Sequence, residues 1–175
     1  MKAKPTLIVL AVLLSAMVAT KTFAQSANAN PSLSIGLEVG FPASKSFSDS
    51  YGPGIGGSAK LAIPVVTNGS VTLSAGYISF SGKTIAGYKY PAFNLIPFKA
   101  GFRYLFPSNF YIEPQLGITS AKVKGAASGE SSFTYALNLG YLINNMVDIS
   151  GRYEAMTKGG TTSYIGLRAA FNIPL

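Results

Sequence analysis

Ile96-Pro97-Phe98-Lys99-Ala100-Gly101-Phe102-Arg103-Tyr104 puts Ile, Phe, Ala, Phe and Tyr at even positions and Pro, Lys, Gly and Arg at odd ones. Successive side chains of a strand point to opposite faces. As a strand this segment therefore carries its aromatic bulk on one face and both cations, beside glycine, on the other. A helical period of 3.6 would mix the two sets.

The same alternation recurs along the chain. Upstream the apolar sets are Leu33, Ile35, Leu37, Val39, Phe41; then Ile55, Ala59, Leu61, Ile63; then Val71, Leu73, Ala75, Tyr77. Downstream they are Phe110, Ile112, Leu116, Ile118; then Phe133, Tyr135, Leu137, Leu139, Tyr141; then Val147, Ile149, Tyr153; and last Ile165, Leu167, Ala169, Phe171. That predicts eight strands and an all-β chain. Connections alternate in length: 42–54, 81–93, 122–131 and 157–162 are long, while 67–70, 107–109 and 144–145 are short. Asn68-Gly69 supplies residues that tolerate positive φ in a tight hairpin. Pro97 and Pro114 fall within strands, where a missing donor predicts local bulges. Ile78 and Leu142 fall on the polar face.

Nine charges lie within these strands: Glu38, Lys60, Lys99, Arg103, Glu113, Asp148, Arg152, Glu154 and Arg168. All nine share the small, polar face with Gly, Ser, Ala and Thr. A soluble barrel has the reverse arrangement, apolar within and polar without. A charge facing lipid costs about 2–4 kcal/mol at the bilayer midplane, and an open sheet edge in hydrocarbon leaves backbone groups unpaired. The pattern therefore predicts a closed, eight-stranded antiparallel up-and-down transmembrane barrel. Short turns face the periplasm, longer loops face outward, and the charges line the lumen. Phe41, Tyr77, Phe133 and Tyr153 near one set of strand ends, with Tyr104, Phe106, Phe110, Tyr141 and Phe171 near the other, suit the two interfacial girdles.

With strand count, loop alternation and the Ile96–Tyr104 segment in view, the chain resembles the small eight-stranded outer-membrane barrels of the OmpX and OmpA-transmembrane type. Tyr164-x-Gly166-x-x-Ala169-x-Phe171 is similar to the C-terminal signal read by the outer-membrane assembly machinery. The resemblance implies an outer-membrane barrel over 32–175 that meets that machinery during biogenesis.

Residues 1–24 read as a signal peptide. Lys2 and Lys4 precede an apolar run from Leu7 to Ala19, and Thr22-Phe23-Ala24 places small residues at −3 and −1 of a cleavage site. Residues 25–31 then form a short linker. The formal charge is +8; removing Lys2, Lys4 and Lys21 leaves 11 basic residues against 6 acidic, or +5. An exported chain meets little nucleic acid, so none is expected as a partner.

Cys and His are both absent. That removes disulfides, thiol catalysis, zinc fingers and the commonest general base. Ser81-Gly82-Lys83-Thr84 mimics the end of a phosphate-binding loop, but Tyr77 stands where the motif needs its first glycine. Asp49 and Glu130 are the only acids in the loops and suit at most a weak hard-cation contact. No enzyme activity, catalytic residue, metal or cofactor is expected.

Two readings of function remain open at this level. The five lumen bases and four lumen acids either pair and plug an interior just wide enough for its side chains, or line a narrow porin-like path for small solutes or ions. Outside, Lys45, Lys83, Lys89, Lys122, Lys124 and Lys158 oppose Asp49 and Glu130, giving the loops +4 beside Tyr51, Tyr88 and Tyr90. This cationic surface suits outer-membrane lipid, lipopolysaccharide or an unidentified extracellular partner. The expected role is structural, in envelope integrity, or surface interaction through the loops; a secreted soluble ligand-binding barrel is the weaker alternative.

Overall fold

Alternating apolar residues pair most readily where both neighbours alternate in phase. The computed structural model shows how that is met; it describes residues 30–126 and 128–175. The signal segment and the first part of the linker lie outside the described residues. Eight strands of 11–16 residues close one barrel. They are β1 (Ser32–Pro42), β2 (Tyr51–Val66), β3 (Gly69–Gly82), β6 (Phe93–Leu105), β7 (Phe110–Val123), β8 (Glu130–Ile143), β9 (Val147–Thr157) and β10 (Thr161–Pro174). A six-residue helix, α1 (Lys45–Ser50), follows β1, and a small hairpin of β4 (Thr84–Ile85) and β5 (Tyr88–Lys89) lies between β3 and β6. Every barrel pairing is antiparallel, and β10 closes onto β1.

The register sets the shape. Following paired residues around the wall gives Ser32, Ala62, Thr72, Gly101, Gln115, Ala136, Glu154, Tyr164 and then Pro42, back on β1 but ten residues from the start. A stagger of ten over eight strands tilts them by about 41° and gives a backbone radius of about 8 Å, from a ~3.3 Å rise and ~4.8 Å spacing. Such a tube has room for side chains and little else.

The large apolar residues point outward, among them Leu37, Ile55, Ile96, Phe98, Leu116 and Ile118. All nine aromatics assigned to the girdles are exposed as well. At the turn end the connections are short. Asn144 and Asn145 both take positive φ, and the Met146 N–H donates to the Ile143 carbonyl at 3.0 Å, a primed turn matching strand twist.

Three sequence expectations need correction. Only Asn68 of the Asn68-Gly69 pair takes positive φ (63°); Gly69 begins β3, where an added Cβ would press on Val66 and Phe102. No bulge forms at Pro97 or Pro114. Pairing lapses between Ala75↔Phe98 and Ile78↔Leu95, and between Gly101↔Gln115 and Tyr104↔Ile112, then resumes in the same register. Each proline still pairs with its other neighbour, Thr119 or Leu137, so the missing donor interrupts one ladder without shifting it. The register shifts fall instead at the two ends of β2, between Tyr51 and Gly54 and between Pro64 and Val66.

The outer loops are also shorter than 42–54, 81–93, 122–131 and 157–162 imply. Fourteen residues at this tilt rise about 35 Å, beyond the ~25 Å of an apolar band. Apolar alternation marks only that band, while backbone hydrogen bonds continue the ladders past it. The last connection shrinks to residues 158–160, within the two-to-four-residue range of the turns at the other end.

Candidate functional site

Inward-facing positions carry all nine charges assigned to the lumen, each at 9% exposure or less. Toward the turn end Glu113 accepts from Lys60 Nζ and Arg103 Nε, both at 3.0 Å, from Thr72 Oγ1 at 3.0 Å and from Gln115 Nε2 at 2.6 Å. Asp148 accepts from the Tyr111 hydroxyl at 2.7 Å, and Arg103 and Lys60 lie 3.5 and 3.7 Å from its Oδ2. The Tyr111 ring lies beneath the Arg103 guanidinium, 4.3 Å from its centroid.

Toward the loop end Arg152 holds Glu38 with both terminal nitrogens, at 3.1 and 2.7 Å, while Ser58 donates to the same carboxylate at 2.6 Å. Lys99 donates to Glu154, whose Oε2 also lies 2.9 Å from Arg152 Nε. Arg152 Nη2 donates to the Tyr164 hydroxyl at 3.0 Å. Arg168 joins the two groups: it lies 3.3 Å from Asp148 and 3.7 Å from Glu38, and its other N–H groups donate to Ser34 and Ser58. The nine charges thus form one connected network, two acids and two bases at each level with Arg168 between.

Small residues on the same face make room for these side chains. A Cβ on Gly140 would lie 2.3 Å from the Tyr111 ring, and one on Gly117 would meet Lys99. Within this packing the lumen retains a cavity of about 10 Å³, lined by Glu38, Lys60, Lys99, Arg152 and Arg168 with small and amide residues. That is space for about one water molecule.

Above the charged network the interior changes character. Ile78, Phe80, Leu95, Met156 and Tyr164 form a buried cluster, with Phe47 of α1 reaching down into it. Phe47 stacks edge-on against Phe80 at 4.9 Å between ring centroids. Gly40 and Gly54 leave space for the Phe80 ring. Sequence reading treated Ile78 as an exception to the pattern and left Phe47 unassigned. The signal was present in parity: Ile78, Phe80 and Leu95 all share the inward phase of Thr72 and Lys99. Leu142 is likewise inward, at the turn end beside Asp148.

The six lysines all lie exposed at the loop end, but three are on regular elements. Lys122 is on β7, opposite Asn94, and Lys89 is on β5, opposite Thr84. Lys45 begins α1. Lys83 Nζ donates to the Ser48 carbonyl at 2.6 Å, tying the second loop to the first. Lys158 pairs with Glu130 at 3.7 Å in the open. From Phe47 an aromatic ladder climbs outward through half-buried Tyr51 (5.3 Å) and Tyr90 (6.4 Å) to Tyr88 (5.5 Å), an exposed ring next to Lys89.

No protein-family model matches the chain, and no curated protein matches it. Solved structures do. The Yersinia pestis outer membrane protein Ail in a phospholipid nanodisc matches with TM-score 0.60 at 16% identity, over 83% of this chain and 100% of that one. Ail in complex with the heparin analogue sucrose octasulfate matches with TM-score 0.56 at 16% identity, over 83% and 99%. The N-terminal β-barrel domain of Pseudomonas aeruginosa OprF matches with TM-score 0.56 at 13% identity, over 83% and 98%. At such identities the likeness concerns the fold. The chain is a small eight-stranded antiparallel up-and-down β-barrel of the architecture these proteins share.

Proposed function

We propose that the protein is an exported, non-enzymatic barrel of the outer membrane whose lumen is a structural core and whose working surface is the cationic, aromatic rim at its loop end. One observation carries this reading: the tube is filled by a connected network of nine buried charges and an apolar plug, whereas six exposed lysines and the Tyr51–Tyr90–Tyr88 ladder lie at one mouth. An outward apolar wall with two aromatic girdles suits a bilayer. Both barrel termini lie at the turn end and so face the periplasm. The segment 1–24 supplies the export signal, with cleavage after Ala24.

The rim favours anionic saccharide as its partner class, such as the phosphorylated sugars of lipopolysaccharide. Lysines attract the anionic groups, and tyrosine rings offer faces to sugar rings. That a barrel of the same architecture, Ail, has been solved with a sulfated sugar analogue supports the same chemistry here.

The test is binding of refolded protein to lipopolysaccharide vesicles across a salt series. Binding that weakens with salt, and falls at least tenfold when all six lysines become Gln, is expected. Unchanged, salt-independent binding by that variant would refute the rim reading. The pore alternative predicts sustained open events in a planar bilayer; the filled lumen predicts none.

A further inference from the structure

The lumen has one more base than acid. Lys60, Lys99, Arg103, Arg152 and Arg168 face Glu38, Glu113, Asp148 and Glu154, and every one of them is buried. Arg168 is the odd cation between the two balanced groups. A buried, uncompensated charge is costly, because burial removes the water that would solvate it.

Hydrogen-bond supply shows the same surplus. A lysine ammonium carries three donors, yet Lys99 donates to Glu154 alone among side chains. Among the described residues buried Arg152 Nε finds no acceptor; it lies near Glu154 Oε2, but not in hydrogen-bonding alignment. Glu154 Oε1 also lacks a partner, but Glu154 does not line the lumen cavity. Four of the five bases do line it, against the single carboxylate of Glu38. Excess positive charge, spare donors and room for one small occupant therefore meet at the same place.

We propose that this cavity is a binding site for one small monovalent inorganic anion of chloride's class, held by Lys99 and Arg152 with Lys60 and Arg168 around it. The ion neutralises the lumen and accepts the donors that no side chain satisfies. It is a structural ion, bound as the barrel closes, and is distinct from any partner of the outer rim.

Because buried side chains line the site, the anion is supplied during folding. The full mature barrel is refolded in detergent in chloride, in bromide, or in gluconate, which is too large for the cavity, at one ionic strength. Its unfolding midpoint is then followed against halide concentration. An upward shift that saturates with chloride or bromide, absent in gluconate, is expected. Lys99→Gln leaves four bases against four acids and is expected to remove that halide dependence while still folding to the heat-shifted band of the native barrel. Crystals grown in bromide give a second reading, which does not depend on the variant folding. An anomalous peak in the cavity beside Lys99 Nζ and Arg152 Nε supports the site. Superimposable chloride and gluconate curves, or a cavity holding only water in the bromide crystals, would overturn it.

Discussion

The two halves of the barrel interior fill the same narrow tube by opposite means. The half below the apolar cluster packs charge on charge through contacts far apart in sequence; Arg152 and Glu38, in its upper level, are 114 residues apart. The half toward the loops packs rings and aliphatic chains, and its top layer is Phe47, carried on the short helix α1. That helix is tied to the wall by few bonds. The Ala43 and Ser44 N–H groups donate to the Ser163 carbonyl at 2.8 and 3.2 Å, and the Ser163 N–H donates to Ser44 Oγ at 3.2 Å. A charge network with more bases than acids tolerates the loss of a carboxylate poorly, since each such loss strands buried cations. An apolar plug loses area in proportion to what is removed. The lower half should therefore be brittle and the upper half yielding.

The sharpest way to break that contrast is Glu113→Gln. It leaves Lys60 and Arg103 facing a neutral amide at a site with no exposure. Removing one partner of a buried ionic group costs about 3–5 kcal/mol, and here one carboxylate serves two cations. Urea unfolding of the barrel in lipid vesicles should show that loss. A cost below about 1 kcal/mol would mean that water or neighbouring groups replace the carboxylate, and the lumen would not be brittle.

Gly140→Ala probes the packing beneath the charges. Its new methyl would lie 2.3 Å from the Tyr111 ring, which is fully buried and fixed by the Asp148 hydrogen bond and the Arg103 guanidinium. Overpacking of this kind costs about 1–3 kcal/mol. The Gly140→Ala, Tyr111→Phe double variant should lose part of that penalty, because the ring then shifts without a hydroxyl to hold it. The same unfolding assay reads both. Equal stability of Gly140→Ala and wild type would show a lumen loose enough to absorb a methyl group.

These two sites also show what the sequence could and could not disclose. Period two assigned Glu113 and Gly140 to one face, and the uniform phase of nine charges decided which face was inside. Pairing needed more. Whether Lys60 meets Glu113 or Glu38 depends on the stagger of ten around the wall, which accumulates over seven turns and loops and has no local signature. The prolines misled for a related reason. Proline predicts a missing donor, but which ladder loses it depends on which neighbour that backbone position addresses. Loop lengths were overestimated because hydrophobicity reports the apolar band alone. Phe47 was invisible because nothing in Lys45–Ser50 has a period that says where a six-residue helix will lean.

Phe47→Ala tests the yielding half. In a rigid core the change costs about 3–5 kcal/mol. Here α1 can detach without opening a ladder, so local release absorbs part of the loss, and about 1–2 kcal/mol is expected for global unfolding. The larger effect should be local: faster amide exchange and proteolysis confined to 43–50, with the strands unchanged. Loss of protection throughout β9 and β10 would instead make α1 part of the cooperative barrel, and the two halves would be equally brittle.

The smallest effect belongs to the rim, and it completes the contrast because the same type of ion pair occurs there in water. Lys158 and Glu130 sit 3.7 Å apart, with side chains 51% and 77% exposed. Lys60 and Glu113 sit 3.0 Å apart in the lumen with almost no exposure. Solvent solvates either rim charge when its partner is lost, so Lys158→Gln should change unfolding stability by no more than a few tenths of a kcal/mol. Salt should erase even that, while leaving the cost of Glu113→Gln largely intact. Measuring both variants at low and high ionic strength separates charge that holds the barrel together from charge that only faces outward. If Lys158→Gln proved as damaging as Glu113→Gln, the rim would be part of the structural core, and its lysines would not be free to serve a partner.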